Sequence, residues 1–187
     1  NGLFSDDEGE TWVAGATDPF AVAEDIVSAV SFEVGTGAFR VLVARSTAAG
    51  DPAEVAYSDD GGNTWITVEV GVTNGECAVG PKALAAIDAE HIWFATSEGR
   101  VFFSGDGGAT WTEQASAYAA SGGAALNAIH AADDMTVWAV GDTDIIIRTA
   151  DGGVNWAAVS STGTGDDVLS VVGFDNNRAL IGTDGTS

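Results

Sequence analysis

One eight-residue pattern, Ser-x-Asp-x-Gly-x-Thr-Trp, recurs along this 187-residue chain and constrains its fold more than any other feature. The first copy carries Ser5, Asp7, Gly9, Thr11 and Trp12, the second Ser58, Asp60, Gly62, Thr64 and Trp65, and the third Ser104, Asp106, Gly108, Thr110 and Trp111. A looser fourth copy has Thr149, Asp151, Gly153 and Trp156, with Asn155 in the threonine place. Successive motif tryptophans lie 53, 46 and 45 residues apart. A period of about 20–50 residues is the mark of a solenoid, propeller or array of repeated supersecondary units.

Each interval holds the same four apolar segments: residues 26–34, 40–45, 54–58 and 65–70 in the first unit, 84–87, 91–96, 100–104 and 111–114 in the second, and 126–129, 137–140, 145–148 and 156–159 in the third. Runs such as 41–44, 101–103 and 145–147 are apolar without alternation, which predicts strands covered on both faces. The Ala-rich stretch 118–126 is interrupted by Ser121, Gly122 and Gly123 and lacks a 3.6-residue period, so it reads as loop. Four strands per unit at a period near 45 predict an all-β chain, a β-propeller of four-stranded blades. After Trp156, residues 168–172 and 178–181 match the first two strands of a unit, and the opening residues through Trp12 match the third and fourth. The 31 residues after Trp156 and the 12 ending at Trp12 together make 43, close to one period. The expectation is therefore a single domain, 1–187, of four blades (13–65, 66–111, 112–156, and 157–187 plus 1–12), the last closed by strands from both ends. A segment of a larger propeller is the alternative.

The motif falls between the third and fourth strands, so it predicts a hairpin turn in which Gly9, Gly62, Gly108 and Gly153 supply positive φ and Asp7, Asp60, Asp106 and Asp151 accept hydrogen bonds from turn amides. Trp12, Trp65, Trp111 and Trp156 are expected between blades. Burial of each contributes roughly 4–6 kcal/mol as an upper value, at about 25 cal/mol per Å². On these residues the chain resembles the Asp-box, or BNR, repeat of sialidase-like propellers. Val137-Trp138-Ala139-Val140-Gly141-Asp142 followed by Ile147-Arg148-Thr149-Ala150-Asp151-Gly152-Gly153 is most similar to the repeat of photosystem II stability/assembly-factor-like propellers. The resemblance implies a structural box that faces away from the binding surface.

Six Lys plus Arg against 28 Asp plus Glu give a net charge of −22, which opposes nucleic acid and anionic membrane surfaces. No apolar run approaches the ~18 residues of a membrane span. Cys77 has no partner cysteine, and the paired acids show no metal-loop spacing, so no metal and no cofactor are expected. A sialidase would need an arginine cluster and a nucleophilic tyrosine. Phe39-Arg40-Val41-Leu42 matches the relevant segment only in part, and no catalytic residues are assigned. His91 and His130 occupy different slots, with His130 aligned to Ser31, Asp88 and Gly173 as an ordinary scaffold position. The loops opposite the boxes carry the candidate binding rim: Glu98, Tyr118, Asp142, Asp144, Asp166, Asp167 and Asp184, with Phe20 as a second aromatic. The expected function is a non-enzymatic binding or structural module for a protein partner or self-assembly, within an extracytoplasmic or virion-associated setting. Carbohydrate binding is the alternative, and sialidase-like hydrolysis is discounted.

Overall fold

The computed structural model describes residues 3–4, 10–11, 13–14, 17–20, 25–46, 52–71, 75–161, 163 and 165–185. Among the described residues the chain is all-β apart from one short helix. Strands β1 (Leu3–Phe4) and β2 (Val13–Ala14) pair with each other. Three antiparallel four-stranded sheets follow: β3 (Ile26–Gly35), β4 (Ala38–Arg45), β5 (Glu54–Ser58) and β6 (Ile66–Glu69); β7 (Leu84–Asp88), β8 (His91–Ala95), β9 (Val101–Ser104) and β10 (Thr112–Glu113); and, after α1 (Ala115–Ser121), β11 (Leu126–Ala131), β12 (Val137–Gly141), β13 (Ile146–Thr149) and β14 (Trp156–Ala158). A final pair, β15 (Val168–Gly173) and β16 (Ala179–Thr183), has the hairpin plan of a blade's first two strands.

Within each sheet the strands run in chain order, as meandering hairpins require. The first strands of successive sheets sit side by side. The Ser28 hydroxyl donates to the Pro81 carbonyl at 3.2 Å and accepts from the Leu84 amide at 3.1 Å. One blade further on, the Ile129 amide donates to the Lys82 carbonyl at 2.8 Å. Blades thus radiate from a common line of inner strands. The apolar runs lack alternation because each sheet is sandwiched. Phe32, Leu42, Val55, Leu84 and Phe94 pack between the first and second sheets. Ala85, Trp93, Val101, Ile129, Val137 and Ile147 fill the second joint, and Ala128, Trp138, Val140, Val168 and Val171 the third. Trp93 is wholly buried.

Three expectations need correction. Residues 115–121 form a helix, not a loop. Seven residues are too few to display periodicity, yet Ala115, Ala117, Ala119 and Ala120 favour helix, and Gly122 ends it at φ 67°, donating its N–H to the Tyr118 carbonyl. Phe20 is not a rim aromatic. It is buried against Val43 and Ala56, with the Arg45 guanidinium 5.4 Å from its ring centroid. Of the described motif tryptophans only Trp156 is buried, hydrogen-bonded to Ser116 and Gln114 of the neighbouring segment; Trp65 and Trp111 are half-buried.

Candidate functional site

The three described box turns share one hydrogen-bond scheme. In the second copy the Ser58 hydroxyl accepts from the Gly62 amide at 2.8 Å and donates to Asp60 Oδ1 at 2.9 Å. Asp60 in turn accepts from the Thr64 amide at 2.8 Å and the Thr64 hydroxyl at 2.6 Å. Ser104, Asp106, Gly108 and Thr110 repeat these four bonds, and Thr149, Asp151, Gly153 and Asn155 do so with the Asn155 amide group replacing the hydroxyl. Gly62, Gly108 and Gly153 have φ of 89°, 88° and 98°, where a Cβ is strained. Trp65 and Trp111 donate from Nε1 to the carbonyls of Gly62 and Gly108; Trp156 donates instead to Gln114 Oε1, across the blade joint. Ser5, Asp7, Gly9 and Trp12 lie outside the described residues.

Both oxygens of each of these carboxylates accept hydrogen bonds, which lowers their proton affinity. Thr64 holds Asp60 down to about 2, through its hydroxyl first and its amide second. Asp151 is lowered by Asn155 in the same way, and Asp106 is lowered by Thr110 against the opposing effect of burial. A depressed carboxylate stabilises the fold above its unfolded value and loses that contribution as pH falls through the folded one. For Asp60 the window is from about 4 to about 2. Denaturant titrations across this range should show stability falling with acid, and Asp60→Asn should flatten that fall because its amide cannot take up the proton. Parallel curves for parent and variant would contradict the assignment.

Arg40 ties one box to the next. Its guanidinium pairs with both oxygens of Asp59 at 2.6 and 2.7 Å, donates to the Gly107 carbonyl at 2.9 Å, and lies 4.0 Å above the Tyr57 ring. The residue that sequence reasoning weighed for substrate binding is thus committed to the box face.

On the opposite face the structure sorts the seven rim candidates into two groups. Asp142, Asp144, Asp166, Asp167 and Asp184 converge where the β12–β13 loop meets the segments entering β15 and leaving β16. Asp167 Oδ1 accepts from the Thr143 amide at 2.9 Å, Asp184 Oδ1 from the Asp167 amide at 3.0 Å, and Asp144 from the Gly165 amide. Asp142 takes the Asn127 side-chain amide at 2.9 Å. Glu98 and Tyr118 belong to a second group around Arg100, whose guanidinium lies 5.4 Å from the Tyr118 ring centroid and 3.1 Å from Glu76 Oε2. Glu76, absent from the sequence expectation, is fully buried, and its Oε1 accepts the Thr96 hydroxyl at 2.6 Å. Burial raises its proton affinity, opposed by Thr96 and Arg100. Tyr118 keeps nearly half its surface in solvent. Of the loops expected on this face, parts of 18–23, 47–52 and 74–82 lie outside the described residues. Among the described residues no three His, Cys, Asp or Glu side chains are grouped to hold a metal ion, and no helix is long and apolar enough to cross a membrane.

Sequence reasoning also passed over a cleft of about 380 Å³ along the inner strands, lined by Ala29 and Val30 of β3, Pro81 and Lys82 before β7, residues 84–86 of β7 and residues 129–131 of β11. Counting back from the boxes through the strand registers makes Val30, Ala85 and His130 equivalent, since they pair with Leu42, Trp93 and Trp138. His130 therefore sits one residue away from the slot of Ser31 and Gly173. The equivalence is carried by the hairpin register, which spacing along the sequence does not show.

The family model described as photosynthesis system II assembly factor YCF48 matches residues 76–186. Among solved structures, YCF48 from Cyanidioschyzon merolae superposes with a TM-score of 0.65 at 18% identity, over 98% of this chain and 61% of its own. A GH74 xyloglucanase from Xanthomonas campestris gives 0.68 at 16%, over 97% and 30%, and a structure of YCF48 bound to D1 peptide gives 0.56 at 15%, over 83% and 47%. At these identities the likeness is one of fold, and the chain spans under two thirds of each of these structures. No curated protein matches the chain.

Proposed function

We propose, from the premise that this chain belongs to the family of the photosynthesis system II assembly factor YCF48, that it is a non-enzymatic module whose loop face, opposite the Asp-box turns, holds a protein partner. One observation carries the reading: carboxylates gather on both faces, but on only one do they belong to a repeated turn. On the box face they are spent on turn amides and hydroxyls. On the rim, five aspartates from three segments form one group, four of them accepting amides, and Glu98 with the part-exposed ring of Tyr118 forms a second. A relative is known with a bound peptide, and loops on a rigid scaffold are where recognition concentrates.

The partner that fits this rim is a basic segment with an apolar or aromatic residue for Tyr118. Charge complementarity of this kind speeds association and weakens with salt. Isothermal titration with a lysine- and arginine-containing peptide should show binding that falls as salt rises, and that Tyr118→Ala with Asp166→Asn weakens about tenfold. An acidic peptide of equal length should not bind. Equal binding of both peptides, or indifference to the rim substitutions, would overturn the reading. The carbohydrate alternative has no observation in its favour, since the xyloglucanase likeness is one of fold. We further propose that the fold is a four-blade ring, with β1, β2 and the first box supplying the outer half of the blade begun by β15 and β16.

A further inference from the structure

In a chain with 28 acidic residues, the cleft along the inner strands is lined by no carboxylate among the described residues. It holds the chain's one lysine. Each arginine is committed elsewhere: Arg40 to Asp59, Arg45 to Glu54, Arg100 to Glu76, Arg178 to Asp175, and Arg148 to the Trp138 ring and the Asn176 carbonyl. Lys82 is exposed and makes no ion pair among the described residues. An acidic protein has abundant partners for a lysine, so one kept apart from them is available to an anion from outside.

His130 supplies the second polar group. Its Nδ1 lies 3.2 Å from the Gly173 amide, which donates to it. That bond places the proton of the neutral ring on Nε2, leaving an N–H donor on the other edge. Burial first and Lys82 second lower the ring's proton affinity. Around these two groups the walls are small and apolar, from Ala29, Val30, Ala85 and Ala131. A volume of about 380 Å³ falls in the range of small-molecule sites, which pair apolar walls with a few placed polar groups.

We propose that this cleft binds a small monocarboxylate with a short apolar tail. Lys82 is the counter-ion of the carboxylate, His130 donates to one of its oxygens, and the tail lies along Val30 and Ala85. The site shares none of the seven rim candidates and does not depend on the protein-binding reading.

The test is a titration followed by the NMR signals of the His130 ring, with sodium butyrate, sodium acetate and butyramide as probes on the full chain. Butyrate should shift the ring signals saturably and bind several-fold more tightly than acetate, because the tail buries apolar surface. Butyramide, with the same shape and no charge, should give no saturable shift. Lys82→Met should weaken butyrate by roughly tenfold to a hundredfold, the usual loss for a hydrogen bond to a charged group, with melting unchanged because Lys82 is exposed. Lys82→Arg should retain most of the affinity. Equal response to butyrate and butyramide, no saturable shift with either acid, or full binding by Lys82→Met would each overturn the proposal. Peptide binding to the rim, measured on the same samples, reports separately on the protein-partner reading.

Discussion

Gly141→Ala is expected to destabilise the protein by about 4 kcal/mol or more, a magnitude reserved for a few mechanisms. Gly141 ends β12, and a Cβ built there would stand 1.8 Å from the Ala125 carbonyl oxygen and 3.0 Å from Leu126 Cα. Neither atom can retreat. The Ala125 carbonyl accepts the Asp142 amide at 3.0 Å, and the Gly141 amide itself donates to the Ile145 carbonyl at 3.0 Å, so relief by movement breaks the end of the sheet. The disruption reaches the rim because Asp142 is the next residue. At about 2–4 °C per kcal/mol for a domain of this size, the midpoint should fall by roughly 8 °C or more. Gly35→Ala serves as the control: an added Cβ there meets nothing within 4 Å. Equal melting of the two variants would show that the tight approach at Gly141 is not a feature of the protein.

Removing residues 1–12 is expected to have the second large effect. The β15–β16 pair has the plan of half a blade, and Leu169 and Leu180 within it and Phe174 beside it are each more than half exposed. Strands β1 and β2 flank the first copy of the motif as β9 and β10 flank the third, so they have the phase of third and fourth strands. In the structure they form their own two-stranded sheet. A ring closed by these strands would cover the apolar face and satisfy the β16 edge, which otherwise invites association. The truncated chain should then melt broadly, lose its single cooperative transition and bind a hydrophobic dye. An unchanged melting curve would favour the segment of a larger propeller.

Much of the architecture was legible in the sequence because it is written in repeated units. The boxes fix the third hairpin of each blade, and apolar runs such as 41–44 and 101–103 mark strands sandwiched on both faces. What escaped was either short or relational. The helix at 115–121 is two turns long, and its Ala-rich sequence serves a loop equally well until Ser121 hydrogen bonds to the Gly99 carbonyl and anchors it. Phe20 reads as a rim aromatic because nothing nearby in sequence announces that Val43 and Ala56 cover it. Lys82 and His130 are separated by 48 positions, and only the pairing of inner strands from different blades brings them to one cleft. Glu76, in the segment between β6 and β7, meets Arg100 before β9 from 24 positions away. Long-range contacts between blades leave no local pattern.

The division of labour between the two faces is tested most directly by titrating the basic peptide against two variants in parallel, Asp106→Asn on the box face and Asp166→Asn with Tyr118→Ala on the rim, well below the melting temperature of both. The box variant should bind with the parent's affinity while melting earlier. The rim variant should lose about tenfold in affinity while melting with the parent. Loss of binding in the box variant with full binding by the rim variant would contradict the assignment of the faces.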